Sequence, residues 1–108
     1  MPGREERVAL NEATAREINE AIEEAHEGSP GRQIRMICEC GRDECERVIA
    51  ITVAEYEQIR SDPIRFAVTR DHVIPDVEEV VDRTDRFVVV TKREGTPTEV
   101  AIESDPRG

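Results

Sequence analysis

From Arg4 to Glu27 the chain is dominated by Glu, Ala and Arg and contains no Gly or Pro. Its apolar positions fall at Val8, Ala15, Ile18, Ile22 and Ala25, with Asn11 completing the three-four alternation. This spacing predicts a helix over residues 4–27 with a narrow apolar seam, stopped by Gly28-Ser29-Pro30. The seam either lies across the domain's own sheet or pairs with a second helix from another copy or another protein, where Asn11 would set register. A swing about Gly28–Gly31 would make this helix the more mobile part of the chain.

After the hinge the pattern changes to alternation, with Ile34, Met36 and Cys38 on one face and Arg35 and Ile37 on the other. That is a strand running into the cysteines, and Arg47 to Ile51 forms a second strand that returns as a hairpin. Gly41 is expected to allow the tight turn between them, with Arg42, Asp43 and Glu44 as a polar tip. Thr52-Val53-Ala54-Glu55 matches a capping box, so a short helix begins there with Val53, Tyr56 and Ile59 as its apolar face and ends at Asp62-Pro63.

Ile64 to Val68 reads as a short strand, followed by a loop over 70–76. Val77 to Asp82 fits either a helical turn or a strand. The strand is preferred, because Arg86 to Lys92 is rich in β-formers and Arg83-Thr84-Asp85 suits a turn between an antiparallel pair. Thr96-Pro97-Thr98-Glu99 places an N-cap and a first-turn proline, predicting a C-terminal helix over 97–103 closed by Asp105-Pro106. The expected fold class is α+β: an N-terminal helix, then a small antiparallel sheet with a zinc-capped hairpin and short helices. Residues 1–30 form the acidic helix and hinge, and residues 31–108 the zinc-stabilised domain.

With one Tyr, two Phe and no Trp in 108 residues, the core is small and needs a staple. All three cysteines lie in the eight residues Cys38-Glu39-Cys40-Gly41-Arg42-Asp43-Glu44-Cys45. On an extended chain Cys38 and Cys40 point the same way but sit roughly 7 Å apart, at the outer limit for a disulfide. A tetrahedral Zn2+ ion suits them better, taking thiolate at about 2.3 Å and wanting four protein ligands in a structural site. Cys38, Cys40, Cys45 and His72 are the predicted metal ligands, with Asp43, Glu44, His26 or a water as substitutes for the fourth. His26 is otherwise a last-turn residue favoured by the helix dipole.

The formal net charge of −10 argues against nucleic acid as a partner, since phosphate binding needs a basic patch. The acid excess is densest at the N-terminus, where residues 1–30 carry eight Glu against three Arg. No apolar run reaches the length of a membrane span, and MPGREER lacks the apolar core of a signal peptide, so no membrane partner and a cytoplasmic location are expected. In that reducing compartment an odd, clustered set of cysteines reads as metal ligands, not as bridges.

The cysteine cluster, the Thr-x-Ala-Glu-Tyr helix, Asp62-Pro63-x-Arg65-Phe66, His72 and the run to Phe87-Val-Val-Val-Thr-Lys92 together resemble a family of small uncharacterised bacterial proteins of actinobacterial type. The resemblance covers most of the chain. It implies the pattern Cys-x-Cys, a third Cys after a polar loop, Glu-Tyr and a later His, with no activity attached. This chain has Asp71 where that pattern often has Gly before the His.

No phosphate-binding Gly-rich loop, nucleophile elbow or deaminase signature is present. The leading expectation is a zinc-binding, non-enzymatic protein-interaction or regulatory module. Its partner, or a second copy, would be met through Val8, Ala15, Ile18 and Ile22 of the N-terminal helix. The alternatives are a zinc-dependent or cysteine-dependent enzyme, the latter using His72 as base, and a thiol redox sensor that releases its metal on oxidation.

Overall fold

The computed structural model describes residues 3–43, 45–75, 78–93, 101–103 and 105. Its elements are α1 (Arg4–Ala25), β1 (Gln33–Ile37), β2 (Val48–Thr52), α2 (Val53–Arg60), β3 (Arg65–Val68), a 3-10 turn (Arg70–His72), β4 (Glu78–Arg83) and β5 (Val88–Lys92). The fold is α+β. It differs from a single sheet in having two antiparallel ones, the hairpin β1-β2 and a three-stranded sheet in the order β3-β5-β4. Residues 101–103 are helical; the rest of the C-terminal helix expected over 97–103 lies outside the described residues. The segment that fitted either helix or strand is strand β4 from Glu78 onward, paired with β5 and carrying a register shift between Val80 and Asp82.

Local chemistry accounts for most of these boundaries. Thr52 and Glu55 exchange the two bonds of a capping box, the Thr52 side chain accepting from the Glu55 amide at 3.0 Å and the Glu55 carboxylate accepting from the Thr52 amide at 2.9 Å. Arg86 then clamps Glu55 through both guanidinium nitrogens, at 2.9 and 2.7 Å, tying the start of α2 to the turn before β5. This pair holds the Glu55 carboxylate at about 2, below its usual range.

The three-stranded sheet divides the interior. Ala67, Phe87 and Val89 join Ile34, Met36, Ile49, Ile51, Val53, Tyr56 and Ile59 in one cluster against the hairpin and α2. Phe66, Val68, Val88 and Val90 join Cys38, Cys40 and Ala101 in a second. The period-two alternation of β3 and β5 therefore gives each face of the sheet its own core.

The helix α1 departs from its expected apolar seam. Val8 and Ala15 are buried and Ile22 is half-buried, but Ile18 is 45% exposed and Ala25 is exposed. The buried face is completed by Glu12, Arg16, Asn19 and Glu23. Polar side chains are tolerated there because other segments bond them. Arg16 donates to the carbonyls of Pro63 and Arg65, each at 2.6 Å, with its guanidinium 3.7 Å from the Phe66 ring centroid. Asn19 exchanges bonds with the backbone of Ile37, and Glu20 accepts from Arg60 at 2.7 Å. The narrow seam thus gives α1 little apolar burial, and hydrogen bonds to β1, α2 and the start of β3 anchor it in its place. No helix among the described residues is long and apolar enough to cross a membrane.

Glu12 sits beside the buried Lys92 ammonium, which also contacts Glu78. Burial raises the Glu12 carboxyl to about 7, against the opposing pull of Lys92. A carboxyl raised on folding contributes stability that is complete below its unfolded pKa and is lost as pH rises through its folded one. Glu12→Gln should therefore gain up to about 3 kcal/mol relative to wild type between pH 4.5 and about 7, measured by denaturant titration. A difference that stays flat with pH would mean that Glu12 is ionised in the fold throughout this window.

Candidate metal centre

Three segments of chain supply the site. Cys38 and Cys40 leave the end of β1, Cys45 precedes β2, and His72 closes the 3-10 turn after β3. The hairpin ladder continues past β1 through the Cys38 amide, which donates to the Arg47 carbonyl at 2.9 Å. The Glu39 amide then donates to the Ala67 carbonyl at 2.8 Å, so the Cys-Glu-Cys segment lies along the free edge of β3. Alternation along this extended segment sends both sulfurs to one side and Glu39 to the other.

Glu39 is fully buried and well satisfied. Its carboxyl accepts from the Tyr56 hydroxyl at 2.5 Å, Asn19 Nδ2 at 3.0 Å and the Ala67 amide at 3.1 Å. Burial, and next the facing Glu39 carboxyl, push the Tyr56 hydroxyl well above its ordinary pKa, so it remains a donor. On the opposite side the ligand atoms of Cys38, Cys40, Cys45 and His72 all lie within 4.8 Å of one another.

The nitrogen-sulfur distances are close to those of a four-ligand metal shell. His72 Nδ1 stands 3.8, 3.3 and 3.4 Å from the sulfurs of Cys38, Cys40 and Cys45. The nitrogen-sulfur edge of a tetrahedron with bonds of about 2.05 and 2.3 Å is about 3.6 Å. Cys38 and Cys40 are buried, and Cys45 and His72 half-buried. The Cys38 sulfur also accepts from the Thr69 amide at 3.2 Å and lies 3.6 Å from the Thr69 hydroxyl, a pattern that favours thiolate.

The two buried cysteines are shifted in opposite directions. A hydrogen bond from the Cys40 side chain, aided by Thr69, pulls the Cys38 thiol down to about 5 against the effect of burial. Cys40, as the donor to Cys38 and itself buried, is pushed up. The group can hold a metal ion, whose charge would stabilise further thiolates in the cluster.

The substitutes for the fourth position lie elsewhere or outside the described residues. The His26 ring nitrogen pairs with the Ile22 carbonyl at 2.8 Å, at the end of α1. Asp43 is exposed and accepts from Asn11 at 2.9 Å. Glu44 lies outside the described residues. Asn11 also donates to the Gly41 carbonyl at 3.1 Å, and so straps α1 to the cysteine loop.

Two residues that position the site were not singled out from the sequence. Glu39 was readable in part, because alternation between two cysteines that face one way must turn the residue between them inward. The lone Tyr on the apolar face of α2 was the matching signal, since a buried hydroxyl needs a partner. Asn19 gave no signal, because its pairing with Ile37 is set by tertiary packing alone.

Gly41 also has a part that the sequence did not show. It is needed for close approach: a Cβ there would lie 2.2 Å from Val8 Cγ1 and 2.7 Å from the Val8 carbonyl oxygen. Gly41→Ala should lower stability by about 1–3 kcal/mol or more, because backbone cannot yield as a flexible side chain does. Gly31→Ala, whose Cβ would meet nothing within 4 Å, is the near-neutral control. Equal denaturation midpoints for the two variants would contradict the close packing of α1 on the loop. Comparison of the chain with protein-family models, with curated proteins and with solved structures gives no match.

Proposed function

We propose that Cys38, Cys40, Cys45 and His72 bind one Zn2+ as a closed structural site, and that the protein is a non-enzymatic interaction or regulatory module stabilised by it. The observation that carries this reading is the convergence of three sulfurs and His72 Nδ1 from three chain segments to within 4.8 Å of one another, with nitrogen-sulfur distances near a tetrahedral edge. Zinc is favoured over other ions by the donor set, because thiolate with imidazole in a four-coordinate arrangement suits its borderline softness.

A structural role follows from the same donors. A shell of three thiolates and one imidazole fills all four positions and leaves none for water or substrate. It also places three negative charges on the ion, which weakens it as a Lewis acid. The unpaired cysteines agree with a reducing compartment such as the cytoplasm.

Cobalt substitution separates this reading from a zinc enzyme. A closed site should give the thiolate bands of a tetrahedral centre, unchanged by added cyanide or azide. Bands that shift with these anions would mean an exchangeable position and favour catalysis. His72→Ala should weaken zinc binding by more than about a hundredfold in competition with a chelator, since loss of an outer-shell partner already costs roughly 10–100-fold. Unchanged affinity would remove His72 from the shell.

A further inference from the structure

Helix α1 departs from an ordinary surface helix on both of its faces. It buries Glu12, Arg16, Asn19 and Glu23, yet exposes Leu10 to 54% and Ile18 to 45%. Leu10, Thr14, Ile18, Ala21 and Ala25 stand at i, i+4, i+8, i+11 and i+15, which places them on one helical face. All five are exposed. A ridge of exposed glutamates, Glu6, Glu17 and Glu24, runs along one flank of this stripe at spacings of eleven and seven, which return to the same side of a helix. Ile18 and Thr14 also border a depression of about 220 Å³ that reaches Ile37 and the three cysteines, so the stripe is continuous with the metal centre.

We propose that this outer face of α1 docks a basic amphipathic helix of another protein. The inference rests on the interaction-module reading and names the chemistry of its partner. Leucine-like side chains of the partner would cover Leu10 and Ile18, while its Lys or Arg flank would lie along the glutamate ridge. The ridge argues against a second copy of this chain. An antiparallel pair of α1 helices would set ridge against ridge, and like charges so placed are destabilising. A net charge of −10 acts in the same direction at long range, repelling copies and drawing in cationic partners.

The test uses the full chain loaded with zinc and a synthetic helical peptide of leucine and lysine, its leucines spaced to match the stripe. Affinity is read by fluorescence anisotropy at low and high salt. Binding should fall at least about tenfold in Leu10→Ser/Ile18→Ser, and likewise in Glu6→Gln/Glu17→Gln/Glu24→Gln. It should also weaken with salt, and be absent for the same peptide with glutamate in place of lysine. All five replaced side chains are exposed, so circular dichroism and zinc content should match wild type.

No binding to zinc-loaded wild type, or equal binding to the Leu10/Ile18 variant, overturns the proposal. So does a wild-type dimer in sedimentation that Leu10→Ser/Ile18→Ser returns to monomer, because the face would then be covered by a second copy. Zinc content measured on the same samples keeps the two readings apart. A zinc-loaded protein that ignores the peptide sinks the docking face alone, and a zinc-free protein that binds it as described sinks the metal centre alone.

Discussion

The Glu39 carboxyl group is the point at which the parts of this structure meet. It lies fully buried where the segment after β1 runs along the edge of β3, and accepts from α1 through Asn19, from α2 through Tyr56 and from β3 through the Ala67 amide. A buried carboxyl left without such donors would cost several kcal/mol, so its position is tightly specified by the three donors around it. Because the chain is extended there, holding Glu39 inward holds Cys38 and Cys40 outward on the same side. Two of the four side chains of the candidate metal centre are therefore placed by packing on its reverse side before any ion is considered.

Asn19 extends this linkage along α1, since it bonds both Glu39 and the backbone of Ile37. Arg16, Glu12 and Asn11 do the same towards β3, Lys92 and the Gly41 loop. A chain with three aromatic residues cannot seat a helix by apolar burial alone, and here a polar network takes much of that role. The same arrangement explains why α1 shows Leu10 and Ile18 to solvent. Much of its inner face is occupied by groups that reach specific partners, and Leu10 and Ile18 are left on the outside while Val8 and Ile22 pack inward.

How far the sequence revealed this depended on whether a signal was local. The capping box at Thr52 and Glu55, the hairpin about the cysteines and the β4-β5 pair all rest on neighbouring residues, and all were legible. The gathering of Cys38, Cys40, Cys45 and His72 was legible from residue chemistry, although His72 lies 27 residues beyond Cys45. The inner face of α1 was not legible, because an apolar pattern cannot show that Glu12, Arg16 and Asn19 will find partners far along the chain. The division into two sheets was hidden for the same reason: strand content is local, but which strands share an edge is not. Gly41 was legible as a constrained position, but its reason, the backbone of Val8 lying against it, belongs to tertiary packing.

What the four converging side chains hold decides whether the reverse-side packing of Glu39 serves a metal at all. X-ray absorption at the zinc edge, on this chain purified under reducing conditions without chelator, reads that shell directly. It should show one zinc per chain with three sulfurs at about 2.3 Å and one imidazole nitrogen at about 2.0–2.1 Å. Absence of zinc, or a shell built from oxygen ligands, would contradict it.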